Sequence, residues 1–302
     1  MTRLSSLRGT DLQRDVPLAK YTAARLGGQS DWLYIAKEST ERLVEVVQAA
    51  WDDNIPVRIL GGGANVLVSD AGFRGLIIIN RVSDIQFGNW HDGRNVSATG
   101  GTGLLRLARE CAVRGIAGME WAVGVPGTVG GAVVNNAGAH SGTMADSVAD
   151  VVVLEYGKGA QLYTNADLRY DYRHSILKSR SDKRFIVLLA TFILPTDDSQ
   201  TIKQKMDKYN AYRKCSQPSG ASLGSIFKNP SGDFAGRLIE IAGLKAYRIG
   251  GVEVSQKHAN FFVNTGESTA NDYYALIRHV QKTVLQKQGI ELELEIELLG
   301  DF

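Results

Sequence analysis

Gly61-Gly62-Gly63-Ala64-Asn65-Val66-Leu67-Val68 decides how this chain is read. An apolar run, Pro56 to Leu60, enters the glycines, and Val66-Leu67-Val68 follows them at once. The pattern is strand, tight loop, strand. A Rossmann fingerprint needs a strand, then glycines, then a helix whose N-terminus holds the pyrophosphate. The third glycine of that fingerprint is also missing, because Val66 stands in its place. A second stretch, Gly124-Val-Pro-Gly-Thr-Val-Gly-Gly131, is likewise expected to lack a helix behind it. Glycines this dense let the backbone approach a ligand and turn several N–H groups inward, which makes an anion-binding nest. The expectation is a phosphate-rich cofactor held by loops between strands, outside the Rossmann class. Thr128 adds a hydroxyl there, and Asn135 and Asn136 add amide donors and acceptors for a ring system.

The rest of the composition narrows the class. The 302 residues are enough for two domains, and 44% hydrophobic with 22% charged residues is ordinary for a soluble globular protein. A net charge of +2 gives no support for nucleic-acid binding. Cys111 and Cys215 are isolated, so a disulfide framework or structural zinc site is not expected, and no metal site is read. No apolar run is long enough to span a membrane and Met1 to Thr10 holds no signal core, which points to a cytoplasmic protein.

Apolar spacing predicts helices over 39–51, 104–112 and beyond Thr269, where Asp272 completes a capping box, and Ile202 to Arg213 reads as a basic helical stretch. Asp233 is expected to cap a further helix that Gly243 ends. Strands are expected at 76–80, 151–156 and 186–194, and the strict alternation of Glu291 to Leu298 predicts a closing half-buried strand. Strands and helices without strict alternation give an α+β fold. An arm over 1–20, a first domain over 21–197 and a second over 198–302 follow, with the polar break Pro195 to Ser199 as the boundary.

Several side chains bear on chemistry. Arg173, in Asp171-Tyr-Arg-His-Ser175, is either a surface partner of Asp167 or Asp171 or a fork that stabilises developing negative charge. Ser225, in Ser222-Leu-Gly-Ser-Ile-Phe-Lys-Asn-Pro230, sits outside any nucleophile elbow and on its own reads as a turn residue. Lys228 and Asn229 beside it offer anchors for anionic or amide groups. Of Glu291, Glu293, Glu295 and Glu297, alternation does not say which faces a site. Residue chemistry alone stops at a two-domain binder of a phosphorylated cofactor.

The motifs in their order resemble the UDP-N-acetylenolpyruvoylglucosamine reductase family. They are Gly61 to Asp70, Gly124 to Gly138, Tyr172 to Ser175, Gly224 to Pro230, Ala242 to Lys245, Gly250-Gly251, His258 to Asn264 and Glu295 to Gly300. The likeness covers the chain from about Tyr21 to its end, and the compact region before Ser225 is similar to the shorter, second type of these reductases. It implies a two-subdomain FAD-binding domain of the vanillyl-alcohol-oxidase type and a C-terminal α+β substrate domain. It implies noncovalent FAD, reduced by NADPH, whose N5 passes hydride to C3 of UDP-N-acetylglucosamine enolpyruvate in peptidoglycan precursor synthesis. The cofactor contacts it implies are Gly61, Gly62, Gly63, Ala64, Asn65, Val66, Gly124, Pro126, Gly127, Thr128, Gly130, Gly131, Asn135 and Ala137. By the same likeness Ser225 protonates C2, while Arg173 and Glu295 stabilise the enolate-like intermediate; Arg213, Gln217, Lys228, Asn229 and His258 match substrate contacts. A monomer or weak oligomer is expected. His140 stands where the family commonly has tyrosine, and Glu297 where arginine is frequent. The competing readings are a related flavin oxidase with covalent FAD and a nonenzymatic nucleotide-binding protein on the same fold.

Overall fold

Five segments pair into one antiparallel sheet in the order Gly159–Thr164, Val148–Glu155, Phe185–Ile193, Asn95–Thr99, Ile85–Gly88. The computed structural model describes residues 3–7, 12–88 and 95–302; residues 1, 2 and 8–11 of the expected arm lie outside them. The chain gathers into two compact units, one of Met1–Gln13, Leu33–Gly62 and Gly75–Tyr212, the other of Arg14–Trp32, Gly63–Arg74 and Arg213–Phe302. These units interleave along the sequence, whereas a division at 197/198 is linear.

The sheet belongs to the first unit. Its outermost strand, Gly159–Thr164, alternates half-buried and exposed positions, as an edge strand with one wet face does. Central positions such as Val151, Val153, Ala190 and Phe192 are fully buried. The helix Leu104–Val113 lays Leu104, Leu107, Ala108 and Cys111 into the same core, and Gly115, at φ 67°, ends the turn that follows. Burial pushes the Cys111 thiol up to about 12, so it packs as a small apolar residue. A second helix, Thr40–Asp52, starts where Ser39 Oγ accepts the Arg42 N–H. Val57–Leu60 then pairs in parallel with Phe73–Asn80. A wholly antiparallel five-stranded sheet together with a separate parallel pair is an α+β arrangement and not a doubly wound one.

The second unit pairs Ala221–Ser225, Phe261–Asn264, Val252–Val254 and Arg248–Ile249 in that order, all antiparallel. The 19-residue helix Ala270–Gln288 buries Tyr273, Leu276, Ile277, Val280 and Val284 in this unit's core. Its Thr269–Asp272 capping box forms as the sequence predicts, and Gly289 closes it in the left-handed region. Asp70 adds a cap from far away: its two carboxylate oxygens accept the N–H groups of Ala270 and Asn271, at 2.8 and 2.9 Å.

Two local expectations are corrected. Asp233 does not cap the helix Ala235–Ile241; it pairs with Arg237 one turn on, and Asn229 Oδ1 takes the Ala235 N–H at 3.1 Å instead. The C-terminal alternation does not make one strand. Only Glu297–Leu299 is a strand, in parallel with Val66–Val68, because the segment before it spends its backbone bonds on the loop at Ile226 to Lys228.

Candidate active site

In the first unit the two glycine stretches meet through their backbones. A Cβ on Gly61 would lie 2.2 Å from Thr128 Oγ1, and one on Gly62 would lie 3.3 Å from the Gly127 Cα. At Gly61 a side chain would have to displace Thr128, and at Gly62 it would crowd Gly127. The expectation for the second stretch is overturned in one respect: a seven-residue helix, Val129–Asn135, does follow it, with Thr128 at its N-cap. The small apolar residues Val129, Ala132 and Val133 form its buried face and close it onto the core. The first stretch keeps the strand–loop–strand form.

A third glycine stretch, Thr99-Gly100-Gly101-Thr102-Gly103, supports the second, and sequence reasoning missed it although its own repetition of glycine signals it. The Val129 N–H donates to Thr102 O and the Gly130 N–H to Gly100 O, both at 2.8 Å, while Gly127 O accepts from Leu104. Gly100 and Gly101 are forced, since Cβ atoms there would sit 2.1 Å from Val187 O and 2.5 Å from Val82 O. At Gly127, by contrast, a Cβ would meet nothing within 4 Å among the described residues, and φ is 131°. The backbone is thus bare on that side, and Pro126 and Gly131 are exposed. A cradle of bare backbone fits a phosphate-bearing dinucleotide.

Beyond the cradle the chain turns into a hairpin. Gly124 ends a 3-10 turn, Ala137 donates its N–H to Ala132 O and accepts the Met144 N–H, and Asn135 Nδ2 donates to Gly131 O at 3.0 Å. The Asn136 side chain ties the hairpin to its surroundings: Oδ1 takes the Ala145 N–H and Nδ2 donates to Asp171 O. Gly138–Ala139 then pairs with Gly142–Thr143 across His140 and Ser141, at φ 51° and 64°. Positive φ at both loop positions marks a type I′ turn, which favours Asn-Gly. Non-glycine residues in the left-handed region cost about 1–2 kcal/mol each.

Arg173 stands beside this hairpin, itself at φ 53°, with Nη2 donating to Gly138 O at 2.9 Å. Its turn is fixed by paired backbone bonds between Asp171 and His174 and by Ser175 Oγ, which donates to Val134 O at 2.6 Å. Asp167 and Asp171 have other partners, Thr164 and the Tyr172 N–H.

In the second unit Ser225 follows Gly224, at φ 76°, on a strand whose register slips between Ser222 and Ser225. Asn260, 2% exposed, clamps the next residues: Oδ1 takes the Phe227 N–H and Nδ2 donates to Phe227 O. Glu295 lies against this turn, with its N–H donated to Ile226 O at 2.8 Å. Its carbonyl accepts from Asn65 Nδ2 at 3.3 Å, and Asn65 O takes the Glu297 N–H. Of the four glutamates, Glu291, Glu293 and Glu297 are exposed and Glu295 is half-buried. Ser225, Glu295 and Asn65 therefore come together. Gly63 is needed here too, since a Cβ would lie 2.0 Å from Tyr21 O; Ala64 follows it half-buried, and Val66 is buried.

The remaining sequence candidates also fall in this unit. Lys228 Nζ pairs with Glu293 at 3.1 Å, and Asn229 serves the helix as described. His258 Nδ1 accepts the Asn260 N–H at 3.3 Å, and burial lowers its pKa, so the ring is neutral near pH 7. Burial likewise pushes the Arg213 guanidinium down from its ordinary value. Among the described residues Gln217 Oε1 is buried without a hydrogen-bond partner, a polar atom that a ligand would satisfy.

Comparison with known proteins adds an independent line. Residues 33–162 match the family described as FAD binding domain, and residues 216–299 match UDP-N-acetylenolpyruvoylglucosamine reductase, C-terminal domain. A UDP-N-acetylenolpyruvoylglucosamine reductase of Lactobacillus delbrueckii subsp. bulgaricus is 38% identical over 97% of this chain and 97% of its own. One from a Synechococcus species is 43% identical over 96% of this chain and 93% of its own. The crystal structure of UDP-N-acetylenolpyruvylglucosamine reductase from Thermus caldophilus superposes with a TM-score of 0.81, at 33% identity, covering 96% of this chain and all of that one.

Proposed function

Because this chain belongs to the UDP-N-acetylenolpyruvoylglucosamine reductase family, we propose that it reduces UDP-N-acetylglucosamine enolpyruvate to UDP-N-acetylmuramate with NADPH. It is an FAD-dependent oxidoreductase. The observation that carries the proposal is the Glu295 N–H bond to Ile226 O, which sets the half-buried residue Glu295 beside the Ser225 turn.

Residues 21–197 carry the cofactor in this reading and 198–302 the UDP-sugar. In this reading the pyrophosphate lies against the open backbone at Gly127, which Gly61 and Gly62 back by packing on Thr128 and Gly127. FAD, when bound, would supply the redox chemistry that links NADPH oxidation to hydride addition at C3 of the enolpyruvyl group. FAD is held noncovalently, since neither glycine stretch contains histidine or cysteine. His140, the nearest histidine, has its ring stacked on Tyr209 at 4.1 Å.

The protein residues govern charge and proton. Hydride at C3 leaves negative charge on C2, spread into the neighbouring carboxylate. The Arg173 fork offsets that charge, and its turn is held so that little reorganisation is needed. The Ser225 hydroxyl gives its proton to C2, completing a net addition of hydride and proton across the double bond. Glu295 is a hydrogen-bonding partner of the reacting group. Gln217 and Arg213 grip the polar part of the UDP-sugar, and Lys228, held by Glu293, anchors its anionic groups.

Anaerobic visible spectroscopy tests the reading. NADPH is expected to bleach the flavin bands, and UDP-N-acetylglucosamine enolpyruvate to restore them. Bleaching without recovery would refute the assigned substrate, and absence of flavin after incubation with FAD would refute the enzyme. Acid precipitation checks the attachment: yellow colour staying with the protein would overturn noncovalent binding.

A further inference from the structure

The strained hairpin beside Arg173 is held at its tip by aromatic stacking. The His140 ring lies flat on Tyr209, with centroids 4.1 Å apart and planes 4° apart, and meets Tyr212 edge-on at 5.7 Å. Both tyrosines belong to the helix Ser199–Ser216. The hairpin's return strand is held from below: a Cβ on Gly142 would lie 2.6 Å from Trp121 Cδ1, so Trp121 packs directly on that backbone. The first strand carries Gly138, whose carbonyl accepts the Arg173 Nη2.

A type I′ turn would be relieved by glycine at position 140, yet a side chain is kept there at φ 51°. Strain retained in this way needs a compensating role. The ring supplies it, since glycine would release the hairpin tip from Tyr209. We infer that His140 is a positioning residue for Arg173, acting through its stack on Tyr209 and the Gly138 carbonyl. This rests on the reductase reading for its kinetic consequence, while its structural content stands without it.

The inference separates stability from one half-reaction. The His140→Gly variant loses the ring and relieves the backbone, two opposed effects, so its melting temperature should stay close to that of the parent. Bleaching by NADPH should stay within about twofold, because Arg173 acts on the enolpyruvyl group, whereas recovery by UDP-N-acetylglucosamine enolpyruvate should slow about tenfold. His140→Phe keeps a flat ring and should restore recovery to within about threefold of the parent rate. Recovery at the parent rate in His140→Gly, equal losses in both half-reactions, or no rescue by phenylalanine would each overturn the inference. A crystal structure of His140→Gly provides the arm independent of turnover. Loss or lengthening of the Arg173 Nη2 to Gly138 O bond supports the inference, and an unchanged bond refutes it. If the parent protein itself fails to recover with the enolpyruvyl sugar, the substrate reading falls, and the crystal structure alone decides the role of His140.

Discussion

Glu295 donates its backbone N–H to the carbonyl of Ile226 at 2.8 Å, so the glutamate is fixed next to the serine that precedes that isoleucine. The bond is made by main chain. Replacing either side chain therefore leaves the frame in place and tests the chemistry separately from the fold.

Ser225→Ala and Glu295→Gln are expected to leave bleaching by NADPH unchanged. Each should slow flavin recovery with the enolpyruvyl sugar, Ser225→Ala by about 10²–10⁴-fold as the loss of a positioned proton donor does. Stopped-flow absorbance of the two half-reactions distinguishes them. Equal losses in both would place the defect in FAD binding.

Gly61→Ala should strip the protein of FAD. Its Cβ would lie 2.2 Å from Thr128 Oγ1, and moving Thr128 disturbs the backbone bonds around Val129 and Gly130. Overpacking of this kind costs about 1–3 kcal/mol. Adding Thr128→Ala removes the clashing oxygen and should recover part of the flavin content, read as the ratio of visible to ultraviolet absorbance. A Gly61→Ala protein with full flavin would show that the loops part without cost.

Asp70→Ala removes two caps from the N-terminus of the Ala270–Gln288 helix, and only the local Thr269–Asp272 box remains. A loss of about 1–2 kcal/mol is expected in urea unfolding at neutral pH. A loss within experimental error would mean that solvent replaces the carboxylate.

Acid sensitivity should report Glu155. This buried carboxylate accepts from Arg180 at 2.6 Å, with Tyr163 and Lys158 as further partners, and Arg180 chiefly holds its pKa down to about 2 from 4.5. A folded pKa below the unfolded one means that the unfolded chain binds the extra proton. Its stabilising contribution, on the order of 3 kcal/mol, is complete above pH 4.5 and lost as pH falls toward 2. Arg180→Met should destabilise the protein at pH 7 and flatten the stability profile between pH 4.5 and 2. A parallel downward shift with an unchanged slope would refute the pairing.

Local features were legible wherever the governing bond spans a few residues. The Thr269–Asp272 box and the buried stripe of the Leu104–Val113 helix both follow from side chains within about one turn of each other. Asp233 misled for the same reason. It is a good capping type in the right neighbourhood, but Arg237 takes its carboxylate and Asn229 reaches the helix N-terminus first. The helix after the second glycine stretch escaped notice because Val129 to Asn135 is short and rich in glycine and β-branched residues, so intrinsic propensity argues against it. Burial of Val129, Ala132 and Val133 outweighs that propensity.

By itself the sequence determined the α+β class, the two glycine stretches, the family and the identity of the candidate residues, because these are written in residue types and their order. Only the tertiary structure decided which of four alternating glutamates is half-buried, that Asp70 caps a helix 200 residues away, and that Gly61 abuts Thr128. It also decided that Arg173 is held by the Gly138 carbonyl. Those outcomes depend on which backbone groups find partners across long loops, and a pattern with a period of two or 3.6 residues carries no information about partners so distant.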